Sequence, residues 1–301
     1  MNKHTQGLFG KFAVSRADGR DGPGGKHEHC QHFVLDLDHD KHALPAIAAY
    51  VESCRDEFPQ LATDLQAKVQ AKLTSDNAFI TVPDVALPNG LFVPSFTVGK
   101  YLCSRGPLGT AQINATSAPW VDIDYNEARS ACHAAGGQLI TELQALAIAH
   151  DIAQQGINWT GGAVGEGGIY QGLHLGNFDS AQAADVVSDD PKERRWHQLS
   201  NGEQIFDFAG NAFTWVFDDV QGDEKGLVER PFAADSPSIA TAPHPSRKKG
   251  MGWRPDAGDD WSGDALVRGG CWNGGGYAGV FRLGDDSPGG RGIHVGFRCT
   301  K

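Results

Sequence analysis

Arg268-Gly-Gly-Cys-Trp-Asn-Gly-Gly-Gly-Tyr-Ala-Gly-Val-Phe281 and the ending Val295-Gly-Phe-Arg-Cys299 decide how this chain is read. Neither stretch keeps a helical period. Gly269, Gly270 and Gly296 allow close backbone approach or positive φ at tight strand corners. Trp272 and Phe297 offer aromatic area to a core, as does Trp215 upstream. Arg298 can be buried there only if carboxylate or carbonyl oxygens receive its guanidinium. Back to about Trp159 the pattern is similar, with short strands such as 204–208 and 213–217 set between Gly, Asp and Pro loops. Glycine supplies 39 of 301 residues and is densest toward this end.

Working outward, Ile123-Asp-Tyr-Asn-Glu-Ala-Arg-Ser-Ala-Cys-His-Ala-Ala135 reads as a helix with Asp124 as N-cap and Gly136-Gly137 as its stop. Residues 141–154 read as a second, Thr141 and Gln144 forming a capping box. Two helices followed by loop-rich short strands predict an α+β domain. Ahead of it, Phe33-Val-Leu-Asp-Leu37 is strand-like, and 43–54 and 59–73 read as paired helices, the second with Leu61, Leu65, Val69 and Leu73 at four-residue spacing and Pro59 in its first turn. The Pro-punctuated run Val82-Pro-Asp-Val-Ala-Leu-Pro-Asn-Gly90 reads as a linker. The expected organisation is a helical leader domain over 1–90 and an α+β domain over 91–301.

Composition excludes several classes. With 26 Lys and Arg against 37 Asp and Glu the net charge is −11, and no basic stripe is present to neutralise phosphates, so nucleic acid is not an expected partner. No signal-peptide h-region and no membrane-length apolar run occur. Six cysteines without a C-x-x-C pair predict reduced thiols. The expected address is synthesis in the cytoplasm, followed by association with a virion or display on a surface.

Four separated motif groups resemble one family. Phe96-Thr-Val-Gly-Lys-Tyr-Leu102, Pro119-Trp-Val-Asp-Ile-Asp-Tyr-Asn-Glu-Ala128 and Gly137-Gln-Leu-Ile-Thr-Glu-Leu-Gln144 are similar to the N-terminal third of the formylglycine-generating-enzyme (sulfatase-modifying factor) type of C-type lectin fold. Phe208-Ala-Gly-Asn-Ala-Phe-Thr-Trp215 resembles its central GN-x-W-x-W signature, with Thr214 where relatives commonly carry an acid. Arg268-Gly-Gly-Cys-Trp272 and Gly296-Phe-Arg-Cys299 resemble its closing motifs. The resemblance implies a C-type lectin fold over the last 210 residues or so. The enzyme of that family oxidises a sulfatase cysteine with a cysteine pair placed between the closing motifs. Residues 273–295 contain no cysteine, so no catalytic residue is assigned and catalysis is not expected.

A closer resemblance is to the variable proteins of diversity-generating retroelements. It rests on Ile140-Thr-Glu-Leu-Gln144, Ile148-Ala-His-Asp-Ile152, Asn158-Trp-Thr-Gly-Gly-Ala-Val-Gly-Glu-Gly167 and the ending from Ala278 to Arg298. In that family, adenine-directed mutagenesis rewrites a C-terminal variable region, here about 268–299. The leader from Ser15 to Leu73 is similar to leaders on phage-encoded members. The resemblance implies a ligand-binding protein that recognises a protein or glycan on a cell or phage-host surface. The competing readings are a lectin-fold enzyme of the formylglycine-generating type and a structural phage protein with no diversified loop. The expected contact residues are Cys271, Asn273, Gly274, Gly276, Tyr277, Arg282, Gly284, Asp285, Gly290, Gly292, Ile293 and His294, small and polar side chains around rigid aromatics as adaptable paratopes use. No metal ligand is assigned. The run His27-Glu-His-Cys-Gln-His32, with His39 and His42, lacks zinc spacing. Calcium is the cation that Asp218-Asp219, Asp223-Glu224 and Asp259-Asp260 would suit.

Overall fold

The computed structural model describes residues 13–37, 40, 42–73, 78–106, 109–243 and 247–301. The chain divides into two compact units, Met1–Leu65 and Gln66–Lys301. In the first, helix α1 spans Ala43–Cys54 and helix α2 starts at Pro59 and runs to Leu73, across the division. Both helices match the sequence pattern, but Leu61 of the supposed apolar stripe is exposed. The strand expected at 33–37 is not formed. His39 lies outside the described residues.

The second unit opens with β1 (Phe79–Val82), β2 (Val85–Ala86), β3 (Phe92–Val93), β4 (Phe96–Gly99), β5 (Cys103–Arg105) and β6 (Ala111–Ile113). Helix α3 (Tyr125–Ala134) follows, then β7 (Gln138–Leu139) and helix α4 (Glu142–Ala153). The remainder holds β8 (Trp196–Gln198), β9 (Gln204–Phe206), β10 (Phe213–Val216), the short helix α5 (Pro237–Ala240), β11 (Ala265–Arg268), β12 (Leu283–Asp286), β13 (Val295–Phe297) and β14 (Cys299–Thr300). The expected α+β class is observed.

This organisation corrects the expected boundary. The division falls at Leu65 and Gln66, not near residue 90, and the presumed linker belongs to the second unit. β1 pairs antiparallel with β4 over four residues. Val85, Leu87 and Val93 bury against Leu146 and Ala147 of α4. Pro83 and Pro88 punctuate short strands there.

Both central helices start where their caps dictate. Asp124 accepts the Glu127 amide and Thr141 accepts that of Gln144, each returned by the N3 side chain. Two four-stranded sheets frame the core. One has the order β1-β4-β14-β7, so the end of the chain lies between early strands; the other has the order β12-β11-β10-β13. Trp215, on the central strand β10, is fully buried and donates its indole N–H to the Ile123 carbonyl at 2.9 Å. Arg298 is buried as required, received by the carbonyls of Gly99 and Phe206, each at 2.5 Å.

The thiol expectation is also corrected. Cys132 of α3 and Cys299 of β14 form a disulfide across 167 residues, and the Cys103 sulfur lies 3.3 Å from that of Cys299. Burial pushes the Cys103 thiol up to about 12, so it stays protonated.

Candidate functional site

The terminal segment is organised by the register of its sheet. β11 and β12 are antiparallel with Arg268 opposite Leu283 and Ala265 opposite Asp286. β10 starts beside the end of β11, Thr214 facing Arg268, and β13 runs parallel to β10 with Val295 beside Phe213. Residues 269–282 and 293–294 therefore gather at one end of the sheet. Asp286 and the turn at Ser287–Gly290, closed by the Gly290 amide on the Ser287 carbonyl, leave from the other.

The twelve expected contact residues are divided by this register. Asn273, Gly274, Gly276, Tyr277, Arg282, Ile293 and His294 share the first end. Tyr277 is 48% and Ile293 54% exposed. Cys271 lies at the same end but is 6% exposed, its thiol donating to Asn273 Oδ1 at 3.1 Å and pushed up by burial. Gly284 is buried opposite Val267. Asp285 sits a further step along β12, and Gly290 is in the turn at the far end. Gly292 lies between, its carbonyl accepting the Asp122 amide at 3.0 Å.

Backbone bonds pin the segment to elements outside it. Trp272 N donates to Asn211 O at 3.0 Å, Gly176 N to Trp272 O at 2.9 Å and Gly275 N to His174 O at 2.8 Å. Trp253 N donates to Tyr277 O at 3.2 Å and Phe213 N to His294 O at 2.8 Å. The GN pair acts here as a bracket. Gly210 has φ 76°, and a Cβ there would meet the Leu173 carbonyl oxygen at 2.3 Å. Asn211, at φ 65°, holds the Gln182 amide and the Asp207 carboxylate with its side chain. Gly270 is equally constrained, its φ of 94° bringing the chain within 2.6 Å of Ala278 as measured from a built Cβ.

Among the described residues, three buried polar atoms at this end have no protein partner: Trp272 Nε1, Arg282 Nε and His294 Nδ1. The rings of Trp272 and His294 lie 5.1 Å apart. Trp272 is half-buried, packed against Leu102, Ala181 and Ala212, whereas Phe297 is fully buried. The Arg282 guanidinium lies 4.8 Å from the Trp253 ring and 5.5 Å from that of Phe213, and Nη1 donates to the Leu283 carbonyl at 2.6 Å. Burial lowers its pKa to about 10. Arg247 lies 3.8 Å over the exposed Tyr277 ring. No sequence motif marks Arg247 or Trp253, which lie outside the terminal motifs and reach the site through the loop that flanks β12.

No protein-family model matches the chain, and no curated protein matches it in sequence. Among solved structures it is similar to PvdO from Pseudomonas aeruginosa, with 14% identity over 74% of this chain and 93% of that one at a TM-score of 0.37. It is similar to Treponema denticola variable protein 1 at 12% identity over the same shares, with a TM-score of 0.40. A Major Tropism Determinant U1 variant aligns at 16% identity and a TM-score of 0.36, over 72% of this chain and about half (51%) of its own. Likenesses this distant decide no activity.

Among the paired carboxylates, Asp218, Asp219 and Asp223 hold backbone amides. Asp218 Oδ1 accepts the Val220 and Gln221 amides, Asp219 accepts the Leu143 amide at the start of α4, and Asp223 Oδ1 accepts those of Lys225 and Leu227. In the leader, His27 Nδ1 lies 3.4 Å from the Cys30 sulfur. Among the described residues no group of three or more His, Cys, Asp or Glu side chains is arranged to hold a metal.

Proposed function

We propose that this chain is a ligand-binding protein on a C-type lectin scaffold, a variable protein of the diversity-generating-retroelement kind whose segment 268–299 carries an interchangeable surface. Its target is a protein or glycan on a cell or phage-host surface, and the virion or a cell surface is where it acts. The carrying observation is the separation of roles in the terminal segment. Backbone bonds fix its path, while Tyr277 and Ile293 turn to solvent. The variable-protein and tropism-determinant likenesses are consistent with this reading. No catalysis is invoked: residues 273–295 hold no cysteine, the Cys271 thiol is buried and Cys299 is in a disulfide.

The test is genetic and direct. The gene should lie beside a reverse transcriptase and a near-copy of the codons for about 268–299 that differs at template adenines. A neighbourhood with neither removes the diversification reading and leaves a lectin-fold protein with a fixed loop.

A further inference from the structure

The end of the sheet that carries Tyr277 and Ile293 has a second wall that the terminal segment does not encode. Arg247, Trp253 and Phe213 precede residue 268, so under the reading proposed above they stay in place whatever the segment becomes. They interlock with it closely. Arg247 covers the Tyr277 ring at 3.8 Å, Trp253 N donates to the Tyr277 carbonyl, and Trp253 and Phe213 flank Arg282.

The charge at this wall is out of keeping with the chain. In a protein of net charge −11, Arg247 and Arg282 are close enough to repel each other, and among the described residues neither has a carboxylate at ion-pair distance. Asp285 is the carboxylate whose charge reaches Arg282, without a contact. Arg282 is largely desolvated and its Nε has no protein partner. A desolvated cation without an anion is costly, and an arriving carboxylate offsets that cost through charge-assisted bonds to a planar donor.

The surroundings favour a sugar over a peptide as the bearer of that carboxylate. The rim beside Tyr277 is Gly274, Gly275 and Gly276, which build no side-chain pockets. The half-buried Trp253 ring beside Arg282 and the exposed Tyr277 ring, with Arg247 over one face, add aromatic surface next to the two guanidiniums. Strand addition is blocked on β12, because the Leu283 amide already donates to the Trp253 carbonyl at 2.9 Å. We infer that Arg247 and Trp253, together with Arg282 of the terminal segment itself, form a carboxylate-binding wall for an acidic glycan. The inference deepens the binding reading and rests on it for the location of the site alone.

The experiment titrates the full chain with three probes, a tetragalacturonate, its methyl ester and a glutamate-rich peptide of equal charge, following indole fluorescence and heat. Tetragalacturonate should bind at least about tenfold more tightly than its ester, and R247A and R282K should each weaken it by about tenfold, the scale of one charge-assisted bond. Added salt should weaken it further. Arg247 is exposed, so R247A keeps the fold. Equal binding of the ester, binding of the peptide as tight as that of the sugar, indifference to R247A, or no binding of any probe would each overturn the inference. Binding that responds to Tyr277→Ser and Ile293→Asn but not to R247A leaves the display reading standing and removes this one. The reverse pattern retains the wall and removes the display reading.

Discussion

Arg268 and Glu142, 126 residues apart, meet in a buried two-pronged ion pair, Arg268 Nε donating to Glu142 Oε2 at 2.6 Å and Nη2 to Oε1. Ser238 donates to the same Oε1 at 2.5 Å. The residue that ends β11 and opens the terminal segment is thereby fastened to the first turn of α4. Removing one partner strands a buried charge, so Glu142→Ala should destabilise the protein by about 3–5 kcal/mol, read from denaturant midpoints. A loss below about 1 kcal/mol would mean that the pair is dispensable to the frame.

The terminal segment should divide into tolerant and intolerant positions. Tyr277→Ser and Ile293→Asn alter exposed side chains and should shift stability by no more than about 0.5 kcal/mol. Phe297→Ala empties a fully buried ring site and should cost about 3–5 kcal/mol. Thermal melts of the three single variants decide this. Should Tyr277→Ser prove as damaging as Phe297→Ala, Tyr277 is structural.

Acid should destabilise the fold through two histidines, with one aspartate opposing. His197 is fully buried, its Nε2 2.8 Å from the Tyr170 carbonyl and its Nδ1 unpartnered, and burial lowers its pKa to about 4. Burial against Phe281 lowers His150 to about 4 as well. Their contribution is full above about 6.5 and is lost as pH falls toward 4, by at most about 1.4 kcal/mol per pH unit for each group. Asp218 is pushed up to about 6 by burial, so its contribution is full below about 4 and is lost as pH rises through 6. Melts between pH 7 and 4 should show a shallower acid loss in His197→Gln and a steeper one in Asp218→Asn. The opposite ordering would refute these assignments.

The division at Leu65 and Gln66 predicts which fragments fold. A chain of 78–301 keeps β1 on β4 and the Val85 and Leu87 contacts on α4, and should melt cooperatively. A chain of 91–301 exposes the edge of β4 and one side of α4, and should be markedly less stable or insoluble. Equal melting of the two would restore residue 90 as the boundary.

Non-reducing peptide mapping should join Cys132 to Cys299. In Cys132→Ser, oxidation should instead join Cys299 to Cys103, whose sulfur already lies 3.3 Å away. Finding Cys103 and Cys299 both free in the oxidised variant would refute that proximity.

Local rules made the helices legible. Asp124 and Thr141 each select a start through a hydrogen bond three residues away; the Asp124 cap and the Thr141–Gln144 box lie where the sequence placed them, and the return bond between the Asp124 amide and the Glu127 carboxylate is added by the structure. The requirement that Arg298 be received by oxygens also held, because a buried guanidinium leaves no alternative. What the sequence did not disclose depends on distant partners. Nothing near Cys132 marks Cys299 as its mate, and Pro83 and Pro88 look like linker punctuation until α4 is packed against Val85 and Leu87. The candidate site shows the same limit. Twelve candidates from one short segment looked like one surface, but the register of β12 on β11 sends Asp285 and Gly290 away from Tyr277, and Arg247 and Trp253 join from a loop without a recognisable motif.

The bonds that pin the terminal segment run almost wholly between main-chain groups: Trp272 to Asn211, Gly275 to His174, Tyr277 to Trp253 and His294 to Phe213. An amide or carbonyl offers the same partner whatever side chain it carries, proline at a donor excepted. A substitution at the exposed positions therefore changes the face presented to solvent and hardly at all whether the molecule assembles, so the frame and its outer surface are free to change independently.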